Sequence, residues 1–306
     1  MRITQKVRKI LNNYESDSIG IKQNLARILM HGRLSGTGKM MILAVDQGME
    51  HGPRAFVMTP GAYDPHYHYE FAVEGGMNAF AAPLGFLECG ADKFLGSIPT
   101  ILKINSGNSL FGKDNAPDQA VTASIDDALR LGCAAIGFTI YPGSDMSYDQ
   151  IEELRELAAE AKACGLAVIV WSYARGAMSK EGETSLDVIS YGAHIACELG
   201  AHIVKVKLPT AHLEISSAKS LYEKHVDASS LPSRVKHVVD ACFAGRRMVI
   251  FSGGESKNVS SVLDDARAIV SGGGHGAIIG RNFFQRPKSE ALSMAKEVVE
   301  IFKGKR

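Results

Sequence analysis

Eight short apolar, β-branched runs recur along this 306-residue sequence, the stretches between them read as helices, and many of the runs are apolar at every position. Together these observations predict a (β/α)8 TIM barrel. Strands buried on both faces belong to a parallel sheet covered by helices. Eight such repeats in a chain of this length favour a closed barrel over an open doubly wound sheet.

The runs fall at 40–46, 77–83, 99–105, 133–140, 166–172, 201–207, 247–253 and 276–281. Residues 1–35 precede them as an N-terminal helical extension, leaving 36–306 as the barrel domain. The extension contains an amphipathic segment around 21–31, for which two roles are open: a plug at the barrel bottom or an oligomer contact. Asp64 followed by Pro65 is an N-cap signal ahead of the helix after strand one. In 147–165, Ser147 and Gln150 read as a capping box, Ile151, Leu154, Ala158 and Ala161 share one face, and Gly165 is the stop. The segment 184–200 repeats the design with Ile189, Ala193, Cys197 and the stop Gly200. Two connections are longer than usual: 105–121 after strand three, and 208–246 after strand six, with room for two helices.

Composition removes several classes of function. Lys and Arg number 34 against 33 Asp and Glu, a formal net charge of +1, so no global field attracts nucleic acid or an anionic membrane. Any bound anion must be held locally. The five cysteines are scattered and form no C-x-x-C pair, which predicts a reduced, cytoplasmic protein without disulfides. No run approaches the ~18 apolar residues of a membrane span, and no signal-peptide core follows the N-terminus. His66 and His68 look ligand-like but fall on a predicted helix, where side chains two residues apart point away from each other. They are expected at the surface or an interface, and no metal site is expected.

In a barrel of this kind the site lies at the C-terminal ends of the strands. The polar residues there are Asp46, Lys103, Trp171, Tyr173, Lys205, Lys207, Ser252-Gly253-Gly254 and Gly280-Arg281. The glycine turns after strands seven and eight free backbone N–H groups for an anion, and Arg281 adds a fork of donors, which points to a phosphate. Lys205 and Lys207 face the same side of strand six, since side chains alternate. A lysine here fits three roles: phosphate counter-ion, ion-pair partner, or Schiff-base nucleophile. The last needs a neutral amine, favoured by desolvation or a nearby cation. Lys205 lies deeper by about 6–7 Å, with Lys207 as the nearby like charge, and is the better candidate. Tyr173 and Asp46 have the chemistry of a proton donor and a base, although a hydrogen-bonded tyrosine and a structural carboxylate fit the same positions.

Five motifs, AVDQGMEHGP at 44–53, VIVWSYARG at 168–176, AHIVKVK at 201–207, FSGGES at 251–256 and IIGRNFFQ at 278–285, resemble the archaeal-type class I fructose-bisphosphate aldolases, a family also found in bacteria. The resemblance runs from about residue 35 to the C-terminus and implies a Schiff-base lyase that needs no metal or cofactor. It places the imine-forming lysine on Lys205, the tyrosine acid/base on Tyr173 and the proton-shuttling aspartate on Asp46. Trp171 falls beside the substrate, and Ser252, Gly253, Gly254, Gly280 and Arg281 fall on phosphate contacts. Lys207 and His51 complete the expected substrate contacts. The implied partners are small-molecule sugar phosphates and further copies of the chain, in a large homo-oligomer such as a decamer. Gln47 and Ala174 depart from the family's usual histidine and proline, and 208–246 is longer than in compact members. Two alternatives share the lysine or the pocket: a related Schiff-base synthase or thiolase, and a non-catalytic phosphosugar-binding protein.

Overall fold

The computed structural model describes residues 2–110, 115–254 and 256–305. Eight strands, β1 (Met40–Ala44), β2 (Ala79–Pro83), β3 (Thr100–Lys103), β4 (Ala135–Ile140), β5 (Ala167–Ser172), β6 (Ile203–Lys207), β7 (Met248–Ser252) and β8 (Gly276–Ile279), form a closed barrel. Each pairs in parallel with the next, and β8 closes onto β1 with Met40 opposite Gly276 and Leu43 opposite Ile279. All eight runs predicted from the sequence are strands of this barrel.

Alternation along each strand makes two apolar layers. Met41, Leu43, Phe80, Val204, Val206 and Phe251 face the surrounding helices, while Met40, Ile42, Ile169, Ile203 and Ile250 fill the interior. The inner layer continues into the extension. Helices α1 (Gln5–Leu11) and α2 (Ile19–Leu29), capped by Thr4 and Ser18, add Val7, Leu11, Ile21, Leu25, Ile28 and Leu29 to the same cluster. The Tyr14 hydroxyl donates to the His202 carbonyl (2.6 Å), and Asn78 Nδ2 donates to the carbonyls of Ile28 (3.0 Å) and His31 (2.9 Å). The extension therefore plugs the N-terminal end of the barrel, leaving the C-terminal end as the open mouth.

The helices Ser147–Ala163 and Leu186–Glu198 end before Gly165 (φ 80°) and Gly200 (φ 82°), as their sequence predicts. The Ser147 capping box does not form. Met146 takes the cap position, and Gln150 is buried, its carbonyl accepting from the Tyr141 N–H (2.8 Å) and its amide donating to Asp118 Oδ1 (2.9 Å). A buried amide must satisfy both ends, and these distant partners take it from the helix terminus.

His68 is also corrected. It is fully buried, its ring 5.2–5.5 Å from those of Phe86, Tyr67, Phe56 and Phe284, with Nε2 2.8 Å from the Ala62 carbonyl. Burial pulls its pKa down to about 4, so it is a neutral core residue. The long connection after β3 contains a two-stranded antiparallel ribbon, Asn105–Ser106 with Ala120–Val121; its residues 111–114 lie outside the described residues. The connection after β6 carries the helices Ser216–His225 and Leu231–Ala241. No helix among the described residues is long and apolar enough to cross a membrane.

Candidate active site

One cavity at the mouth is lined by Asp46, Lys103, Trp171, Tyr173, Lys205, Lys207, Ser252, Gly253, Gly254, Gly280 and Arg281. Lys205 sits at its floor, 5% exposed, with Nζ 4.7 Å from the Trp171 ring centroid and 5.5 Å from that of Tyr173. Burial pulls the amine down to about 8; Asp46 and Glu50 oppose the shift and Arg281 adds to it. The like charge beside Lys205 is thus Arg281, not Lys207 as the strand spacing suggested. Lys207 is turned to the mouth and paired with Glu183 at 3.3 Å.

Three lysines share this mouth, and their hydrogen bonds separate them. Lys103 is fully buried and brought down to about 7 by burial, against Asp46 and with Lys205 adding to the shift. Its Nζ nevertheless donates to Asn105 Oδ1 (2.8 Å), Gln119 Oε1 (3.2 Å) and the Asn105 carbonyl. Three acceptors match the three N–H bonds of an ammonium, so Lys103 is built as a strut for the ribbon. Among the described residues, Lys205 Nζ donates to no oxygen. The rings of Trp171 and Tyr173 flank it instead.

Trp171, 1% exposed, closes the floor. Its bulk fits because its ring lies over Gly137 of β4: a Cβ there would lie 2.3 Å from the indole. The indole Nε1 is buried and has no acceptor among the described residues, and Trp171 lines the cavity. Tyr173 follows β5, partly buried, and its N–H donates to the Ile140 carbonyl (3.1 Å). Burial holds its phenol above the usual range, tempered by a hydrogen bond with the Ser252 side chain. Asp46 stands just past β1, where the chain turns into the short helix Gln47–His51.

The two glycine turns meet across β7 and β8. Asn282, which the sequence reading did not single out, joins them: its Nδ2 donates to the Gly253 carbonyl (3.2 Å) and its Oδ1 accepts from the Lys257 N–H (2.8 Å). Gly280 also has a packing reason, since a Cβ would lie 2.4 Å from the Ala44 carbonyl oxygen. Glu255 of the strand-seven motif lies outside the described residues. His51 is not in this cavity; it lines an adjoining one with Glu50, Gly107, Asn108, Tyr141 and Arg175. Arg175 and Glu183, 2.9 Å apart, were also missed. Arg175 lies two residues beyond Tyr173 in a quoted motif, whereas Glu183 sits in an aperiodic polar stretch that carries no local signal. Among the described residues, no group of three or more His, Cys, Asp or Glu side chains is placed to hold a metal ion.

Residues 40–286 match the DeoC/LacD family of aldolases. The chain is 32% identical to a probable fructose-bisphosphate aldolase class 1 of Chlamydia muridarum, covering 92% of this chain and 84% of that protein. It is 33% identical to the fructose-bisphosphate aldolase class 1 of Thermoproteus tenax, covering 87% and 90%. Among solved structures, an archaeal fructose-1,6-bisphosphate aldolase with its catalytic lysine covalently bound to the carbinolamine intermediate superposes with a TM-score of 0.74. The two are 31% identical over 90% of this chain and 97% of that one. The match spans the barrel from β1 to beyond β8, the same stretch that assembles the lysine-floored cavity, and the chain belongs to the DeoC/LacD aldolase family.

Proposed function

We propose that the chain is a metal-independent class I fructose-bisphosphate aldolase that reversibly cleaves fructose 1,6-bisphosphate to dihydroxyacetone phosphate and glyceraldehyde 3-phosphate. The observation that carries this reading is Lys205, a buried amine brought to about 8 and free of oxygen acceptors among the described residues. In this mechanism Lys205 Nζ attacks the C2 ketone to give a carbinolamine. Tyr173 donates a proton to the departing hydroxyl, which leaves as water, and the iminium forms. Asp46 takes the C4 hydroxyl proton as the C3–C4 bond breaks. The bonding pair flows into the iminium, and glyceraldehyde 3-phosphate departs. Protonation of the enamine at C3 and hydrolysis release dihydroxyacetone phosphate and restore the amine.

The C1 phosphate is assigned to Ser252, Gly253, Gly254, Gly280 and Arg281, whose turns and guanidinium fit an anion. Trp171 offers its indole N–H to a substrate oxygen and Lys207 adds a contact from the rim, whereas His51 lies outside the cavity. The proposal extends to a cytoplasmic homo-oligomer, supported in its compartment by five cysteines that are all free. Borohydride reduction in the presence of dihydroxyacetone phosphate, followed by peptide mass mapping, tests the chemistry. The expected adduct is on Lys205 and is lost in Lys205→Met. Protein that binds the ligand yet yields no adduct would overturn the mechanism, and an adduct on Lys207 would reassign the nucleophile.

A further inference from the structure

The glycine turns occupy the β7 and β8 side of the mouth, and a two-phosphate sugar held there by one end needs a second cationic site at the other. Arg175, after β5, and Lys207, at the end of β6 and in register with Ser252, line the same cavity and carry its cationic lining away from the glycine turns toward β5. Neither is free. Both are paired to Glu183, Arg175 at 2.9 Å and Lys207 at 3.3 Å, and Lys180 joins the same carboxylate at 3.2 Å. Glu183 itself is nearly buried, its side chain 12% exposed, while those of Arg175 and Lys207 are 26% and 27% exposed. Burial pushes the Glu183 carboxyl up, but Arg175, Lys207 and Lys180 together hold it below its usual range.

The carboxylate rides on a fixed turn, Gly182–Thr184. The Thr184 carbonyl accepts from the Thr210 N–H (2.8 Å), and Gly182 packs so closely on Glu214 that a Cβ would lie 2.4 Å from its carboxyl carbon. Two like charges on separate loops would repel and turn to solvent, whereas a buried carboxylate between them holds both in place. Three cations against one carboxylate leave a net charge of +2, which matches a phosphate dianion.

Resting on the aldolase reading above, we infer that Glu183 is a positioning residue. It holds Arg175 and Lys207 as a paired site for the phosphate at the far end of the sugar, and so sets the preference for two-phosphate over one-phosphate ketoses.

The test is the ratio of kcat/KM for fructose 1,6-bisphosphate to that for fructose 1-phosphate, measured on the full chain. In Glu183→Gln the ratio is expected to fall at least fivefold, chiefly through KM for the bisphosphate. Arg175→Gln/Lys207→Gln should lower it as far, and adding Glu183→Gln to that pair should change it little further, because Glu183 acts through those two side chains. Glu183→Asp keeps the charge one methylene back and covers the case in which the glutamine variant does not fold. An intermediate fall with aspartate supports the inference, and an unchanged ratio overturns it. Equal losses on both substrates in Glu183→Gln overturn it too. Wild-type protein that gives no dihydroxyacetone phosphate adduct would sink the aldolase reading itself, whereas a normal adduct with an unchanged ratio would sink only the role of Glu183.

Discussion

An amine brought to about 8 is protonated in about nine molecules of ten at pH 7, so the neutral form of Lys205 that the proposed mechanism needs is a minority species that grows as the pH rises. What suits it to the proposed nucleophilic role is the absence of a competing oxygen acceptor among the described residues. Lys103 is brought lower still but is tied to three oxygens, and Lys207 is tied to Glu183. The floor on which Lys205 acts depends on Gly137. In Gly137→Ala the new methyl meets the Trp171 ring at 2.3 Å, so the ring or β4 must shift. The expected cost is about 1–3 kcal/mol of stability with reduced adduct formation at Lys205. Denaturant melts and the borohydride assay check both, and a variant as stable and reactive as wild type would remove Gly137 from the argument. The lysine register was legible because strand alternation places Lys205 and Lys207 on one face without further information. The source of the neighbouring charge was not: Arg281 comes from β8, a long-range placement that local spacing does not encode.

At the scale of elements, the extension behaves as part of the core. α2 sends Ile21, Leu25 and Ile28 into the same layer as Ile42 and Ile203, so the bottom of the barrel is sealed by residues outside the strands. Leu25→Ala is expected to destabilise the protein by about 2–5 kcal/mol, measured as a lower denaturation midpoint at unchanged slope. A change under about 0.5 kcal/mol would mean that α2 lies on the barrel without being part of its core. Amphipathic spacing made this helix visible beforehand but left its partner open, because an apolar face reads the same whether it meets a barrel or another chain. The two local errors have a common origin. Gln150 is drawn away from its cap by Tyr141 and Asp118, and His68 is enclosed by rings from residues 56 to 284. Each is decided in part by a neighbour far away in the sequence, Asp118 for Gln150 and Phe284 for His68.

For the molecule as a whole, Lys205 weakens the fold that contains it. An unfolded lysine titrates at 10.5 and this one at about 8, so the folded state binds its proton less tightly. The penalty is fully present below pH 8 and fades as the pH rises toward 10.5, because the amine is then neutral in both states. Lys205→Met is therefore expected to be more stable than wild type at pH 7, by on the order of 3 kcal/mol, with the gap closing between pH 8 and 10.5. Denaturation at pH 7 and 9.5 checks the sign, and a methionine variant less stable at pH 7 would contradict it. The fold was legible because eight two-sided apolar strands admit few other architectures. The site was legible where chemistry sits on a strand end, and illegible where, as with Glu183, it sits on an aperiodic turn.

Trp171 is the chain's only tryptophan and lies against Lys205 on the cavity floor. The tryptophan fluorescence of this protein is accordingly emitted from a single point inside the chamber, so spectroscopy of the intact molecule looks out from the position where a sugar would lie.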